Sequence, residues 1–165
     1  WNLIYEDNVN RGVISVDPDF TGLEWDGTAD PRVPVEEASR PGSDQSTLYL
    51  QEKYVSRGAP IPIASWEEAR LIVAEAEGGQ TAVDIINEFH DRADLPRFES
   101  QDPDEIEDHV LQERSRVLFL EGQRLNDMLR HDLSFDTGVG HDGVPYGSTT
   151  CMPLPVTEVE GNPNL

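Results

Sequence analysis

Residues 113–130 read ERSRVLFLEGQRLNDMLR, and the parsing of this stretch decides the fold. The apolar run Val117–Leu120 is followed at once by Glu121, Gly122, Gln123 and Arg124, and apolar spacing resumes at Leu125, Met128 and Leu129. That spacing predicts a helix passing through the charged residues. Glu121, Arg124, Asp127 and Arg130 stand three apart with alternating sign, so neighbours can pair at i,i+3. Each three-residue step falls about 60° short of a full turn, so the ladder winds around the helix. Catalysis needs groups converging on one point, and a winding ladder disperses them. The expectation is therefore structural: Glu121 and Arg124 largely buried and paired, with partners on a helix over 65–77. Gly122 inside a helix costs about 1 kcal/mol against alanine, which a closely packed neighbouring backbone would explain.

Upstream, QDPDEIED (101–108) supplies the start of that helix, with Asp102 as N-cap, Pro103 in the first position and Glu105 closing a capping box. Ile106, Val110, Val117 and Leu120 form one apolar stripe, and Leu111, Leu118, Leu125 and Leu129 a second. One helix of roughly 40 Å is expected from Pro103 to about Arg130, with a bend possible at Gly122.

Two shorter helices precede it. SWEEARLIVAEAEGG (65–79) carries Ser65 as N-cap with Glu68 three residues on, and Gly78–Gly79 to stop it. Thr81 caps the next, with Asp84 at the third position, and Ala82, Val83, Ile85, Ile86 and Phe89 repeat at helical spacing as far as Leu95-Pro96. A short glycine turn between them predicts an antiparallel helix pair. Residues 1–61 are different. DPDF, WDGTADPR, RPGSD and RGAP break up short apolar pieces, so this segment reads as loop-rich. Residues 48–55 suit a strand, as do Leu3–Tyr5 or Val13–Val16, and the aromatic residues give the loops anchors to bury. The fold class is mainly α, helix pairs over 62–165 with a loop-rich 1–61, and the two parts form one compact unit.

The chain has 165 residues, 33 acidic against 12 basic, for a formal net charge of −21, and Lys53 is its only lysine. Such a surface repels nucleic acid and anionic lipid and resembles the acidic surfaces of proteins from salty habitats. No apolar run is long enough to span a membrane and no signal peptide is visible. Trp1 in place of Met suggests a fragment or a processed product. The single Cys151 excludes an internal disulfide and reads as a small packed residue.

Enzyme signatures are missing: there is no GxSxG, no phosphate loop, no dinucleotide glycine fingerprint and no Cys/His pair in a suitable setting. Glu105, His109 and Glu113 are four apart and could offer a metal-binding face, but a polar helical stripe explains them as well. His90, His131 and His141 have no second ligand at a recognisable spacing. Asp17 and Asp19 have DxD spacing without the twelve-residue calcium loop. The expectation is no catalysis, no cofactor and no metal. What can bind is the aromatic set Trp1, Trp25, Tyr49, Tyr54 and Tyr146, since exposed rings stack on sugar faces.

Several motifs fall in order. IASWEEARLIVAEAEGG (63–79) followed by AVDIINEFHDRADLP (82–96) resembles the helix pair of the SusD/RagB family. LQERSRVLFLEGQRLNDMLRHD (111–132) resembles that family's long charged motif, with Glu113, Arg114, Glu121, Gly122, Arg124 and Asp127 at the matching places. CMPLPVTEVEGNPNL (151–165) is similar to its terminal segment, and TADPR (28–32) and EKY (52–54) resemble features upstream. The likeness is close over 62–165 and loose over 28–165. It departs from the family pattern at Ser65, where arginine is usual, and at Asp94, where glycine is usual.

The resemblance implies a predominantly helical fold with tetratricopeptide-like helix pairs. It also implies a non-enzymatic lipoprotein, anchored through a part absent from this chain to the cell-surface side of the outer membrane. There such a protein caps a TonB-dependent transporter and captures oligosaccharide or peptide nutrients. On this reading Trp25 and Tyr146 are candidate stacking surfaces, with Asp26 and Asp30 as polar partners. The rival from another class is a helical-repeat module that binds only protein.

Overall fold

The computed structural model describes residues 1–150 together with 155, 160 and 161. The terminal CMPLPVTEVEGNPNL segment and Cys151 therefore lie almost wholly outside the described residues.

The core is helical. Helix α1 (Trp66–Glu77) begins where Ser65 Oγ accepts the Glu68 backbone N–H at 3.0 Å, as the sequence predicts. Helix α2 (Gly79–Arg92) starts two residues before the expected Thr81 cap. Gly78 is the only residue between the helices. Gly78 and Gly79 both have positive φ, 62° and 49°, so the chain reverses more tightly than a two- or three-residue turn. At the far end of α2, Asp94 takes the left-handed cap conformation (φ 54°) that glycine favours, and the Leu95 N–H closes onto the His90 carbonyl.

Helix α3 (Pro103–Val117) starts at Asp102, whose side chain accepts the Asp104 N–H. Glu105 does not close a capping box with Asp102; its carboxylate takes the Ser100 hydroxyl. The main correction lies downstream. The expected single helix ends at Val117, and a separate helix α4 spans Arg124–Arg130. Between them Leu120 (φ 59°) and Gly122 (φ 82°) are both left-handed, which no helix accommodates. Gly122 is thus present for its φ and not for a close neighbour, because a Cβ built there meets nothing within 4 Å.

Leu71, Ala74, Ala82, Val83, Ile85, Ile86, Phe89, Phe98, Ile106, Val110 and Leu118 form the core shared by α1, α2 and α3. Burial of each large aliphatic here is worth about 1.5–3 kcal/mol. In the N-terminal part, β1 (Glu24–Trp25) pairs with β2 (Thr28–Ala29) across Asp26-Gly27. Both turn residues have positive φ, the type I′ geometry that an Asp-Gly hairpin favours. Strand β3 (Val35–Glu37) pairs with β4 (Tyr49–Gln51), within the 48–55 stretch read as a strand. Leu3–Tyr5 is not a strand: Tyr5–Asn10 forms a short wide turn of π-helix. Val13–Val16 joins no ladder either, although the Val16 N–H donates to the Tyr49 carbonyl. A smaller apolar cluster of Val16, Val33 and Phe119, flanked by Phe20 and Leu120, fastens this part to the α3–α4 break.

Candidate functional site

The most concentrated chemistry sits where the N-terminal part meets α2 and α3. The β1–β2 hairpin delivers Trp25 and Asp30, the next residues deliver Arg32, α2 delivers His90, and α3 delivers His109, Glu113 and Arg116. Arg32 bridges two carboxylates. Its Nη2 donates to Asp30 Oδ2 at 2.7 Å and to Glu113 Oε1 at 3.0 Å. Arg116 Nη1 donates to the same Asp30 oxygen at 3.0 Å. Asp30, Glu113, His90 and His109 are all buried.

Burial by itself would raise the Asp30 carboxyl, but hydrogen bonds and charge from Arg32, with Arg116, prevail and hold it at about 2. Glu113 follows the same logic, with His90 and Arg32 keeping it below the ordinary carboxylate range despite burial. Burial would lower Arg32, yet Asp30 and Glu113 outweigh it and raise the guanidinium. The two acids and two arginines balance in charge, as a buried ionic centre requires.

His90 Nδ1 lies 2.7 Å from the Pro96 carbonyl oxygen and Nε2 lies 3.1 Å from Glu113 Oε1. His109 stacks on Phe98 with ring centroids 4.1 Å apart, and Trp25 meets it edge-on at 4.4 Å. Burial pushes the His109 imidazole down to about 4, with Glu113 only partly opposing, so the ring is neutral near pH 7. His90, His109 and Glu113 together bring three metal-competent atoms close to one another. The set weighed from helical spacing and set aside differs by one member: Glu105 is exposed and bonded to Ser100, and His90 joins His109 and Glu113 in its place.

A second network ties α4 back to α1 and α3. Arg114 Nε donates to Asp127 Oδ2 at 2.9 Å, and Arg130 reaches both Asp127 and Glu75. Burial opposes ionisation of Glu75, but the Arg130 hydrogen bond and charge, then Arg114 and His131, hold it below its ordinary value. Of the predicted ladder, the Asp127–Arg130 pair forms. Glu121 pairs with Lys53 at 2.6 Å, not with α1, and Arg124 is exposed. The link to α1 comes from Gln123, which donates to Glu68 at 2.9 Å. Glu113, Arg114 and Asp127 are buried and paired, while Glu121 is half-buried.

The four candidate ligand residues are not brought to one place. Trp25 packs on the helical core and donates its indole N–H to the Pro96 carbonyl at 2.9 Å. Asp30 has no exposed side-chain surface, and its oxygens accept from Arg32 and Arg116. Asp26 is exposed at the hairpin tip. Tyr146 is 41% exposed and lines a shallow pocket of about 260 Å³ with Asp17, Asp19, Asp136, Thr137 and His141. A larger, apolar groove of about 480 Å³ is lined by Val16, Phe20, residues 118–120 and the start of α4, with Arg114 also in its wall.

Sequence reasoning missed Arg32 and His90. The Glu113 partner they share stands 81 and 23 residues away, beyond any local spacing rule; the TADPR motif, which also holds Asp30, was the one available signal for Arg32.

No curated protein and no solved structure matches the chain. The SusD family matches residues 68–165, which take in almost all of α1, the whole of α2, α3 and α4, and the residues that follow. That match spans more than half of the sequence and falls on the helices whose caps, break and buried ion pairs have just been described. The chain belongs to the SusD family.

Proposed function

We propose that this protein captures a nutrient, a neutral glycan in the first instance, on the outer face of the outer membrane and passes it to a TonB-dependent transporter. Membership of the SusD family, a nutrient-binding family associated with outer-membrane transport, carries this reading. The lipid anchor, the transporter and the handover are part of the proposal, and that membership is what supports them. Among the described residues no helix is long and apolar enough to cross a membrane. The net charge of −21 disfavours polyanionic ligands and leaves neutral glycans or cationic peptides.

Capture would be non-covalent, with an aromatic face stacking on a sugar ring and carboxylates accepting from hydroxyls. Among the original candidates Tyr146 suits this best, because it is exposed beside Asp17, Asp19 and Asp136. Asp26 is open to solvent on a different loop. Trp25 and Asp30 support the scaffold instead, since their polar atoms are already engaged. A glycan-array screen followed by calorimetry tests the reading. Saturable binding of at least one oligosaccharide is expected.

A second reading draws on the exposed apolar residues Ile63, Ile72 and Val73, of which Ile63 is 98% exposed. Such a surface suits a protein partner. Binding of no glycan at all, with retained binding to a transporter, would favour that protein-only module.

A further inference from the structure

Three donor atoms converge between α2 and α3. His90 Nε2 and Glu113 Oε1 are 3.1 Å apart, His109 Nε2 and His90 Nε2 are 3.5 Å apart, and His109 Nε2 and Glu113 Oε1 are 3.8 Å apart. The point equidistant from three atoms so spaced lies about 2 Å from each, and Zn²⁺ keeps ~2.0–2.2 Å to imidazole nitrogen and carboxylate oxygen.

The hydrogen bonding around this point also suits a cation. The Pro96 carbonyl can only accept, so His90 Nδ1 carries a proton and donates it there. His90 Nε2 then faces Glu113 Oε1, and either a proton or a metal ion between the two atoms satisfies both. A ring N–H given to a backbone carbonyl is the usual outer partner of a metal-bound histidine, fixing its tautomer and orientation. His109 is held from its other side by the Phe98 stack and the Trp25 edge, which fixes the ring's position between α2 and α3.

Arg32 touches Glu113 Oε1 and opposes a dication, but Asp30 and Glu113 balance Arg32 and Arg116. The centre therefore has no surplus negative charge to hold Mg²⁺ or Ca²⁺. It selects an ion that bonds to imidazole.

We propose that His90, His109 and Glu113 bind one transition-metal dication of the Zn²⁺ class, which staples α2 to α3 beneath the Trp25 hairpin. The test is calorimetric titration of chelator-treated protein with ZnCl₂ and separately with MgCl₂, alongside NMR of the four histidine Cε1–H signals. The proposal expects one Zn²⁺ per chain, no Mg²⁺ uptake, and shifts at His90 and His109 with His131 and His141 unmoved. It also expects a melting temperature several degrees higher with Zn²⁺, and at least tenfold weaker binding in His109→Gln. Absence of stoichiometric Zn²⁺ would overturn it. So would shifts confined to His131 and His141, or undiminished affinity in His109→Gln. The NMR result on the unaltered protein decides the matter even if that variant does not fold.

Discussion

Asp30 shows how a residue's chemistry depends on what folding places beside it. In the sequence it is one of several aspartates in a turn-rich segment, as suitable for a sugar hydroxyl as for anything else. In the fold its carboxylate accepts from the Arg32 backbone N–H, the Arg32 guanidinium and Arg116. Asp30→Ala would leave two arginines without their shared counter-charge. A loss of about 3–5 kcal/mol is expected in urea denaturation, the cost of breaking a buried pair from one side. The same carboxyl predicts an acid limb of stability. Its folded value of about 2 lies below its ordinary 3.8, so the unfolded chain binds the proton first as pH falls. The contribution is full above pH 3.8 and is lost as pH drops to about 2, amounting to about 2.5 kcal/mol. Comparing denaturation of the protein and of Asp30→Asn between pH 5 and pH 2 isolates it: the variant should lack that part of the slope. Trp25 went the same way as Asp30. An aromatic residue in a loop reads equally as a binding face or an anchor, and only its contact with His109 and the Pro96 carbonyl decides for the anchor.

The starts of α1 and α3 were legible in the sequence because capping is local, whereas α2 starts from Gly78 and not from Thr81. Ser65 and Asp102 sit where their side chains accept the N–H of the third or second residue on, and nothing distant is needed. The break at residues 118–123 was not legible. Apolar residues keep helical spacing on both sides of it, so periodicity runs straight across a gap that the backbone does not bridge as helix. Gly122 was the visible signal, read as a packing device when its φ of 82° makes it a conformational one. Gly122→Ala should therefore cost about 1 kcal/mol through left-handed strain alone, since no atom crowds the new methyl. A melting-temperature shift of a few degrees would agree with this. A loss of several kcal/mol would restore the close-packing explanation. Elements far apart in sequence escaped for a different reason: His90 and Glu113 meet only because α2 and α3 pack together, and no spacing rule reaches across two helices and a loop.

For the molecule as a whole, two features dominate. The buried ion pairs Arg32–Asp30, Arg32–Glu113 and Arg114–Asp127 lock loop to helix and helix to helix, while the surface carries most of a net charge of −21. The buried pairs respond little to salt, whereas self-repulsion across the surface is screened as the Debye length shrinks from about 10 Å near 0.1 M to about 3 Å near 1 M. The melting temperature should rise across that range, and a fall would mean that exposed pairs such as Arg97–Asp91 matter more than the net repulsion. Within this acidic shell the buried motif residues Glu113, Arg114 and Asp127 form the frame, and the proposed ligand contact is the exposed Tyr146. The most direct test of that division is calorimetry with an array-identified oligosaccharide on the protein and on Tyr146→Ala. The account predicts at least tenfold weaker binding in the variant with an unchanged melting temperature. Equal affinity in the two proteins would contradict it.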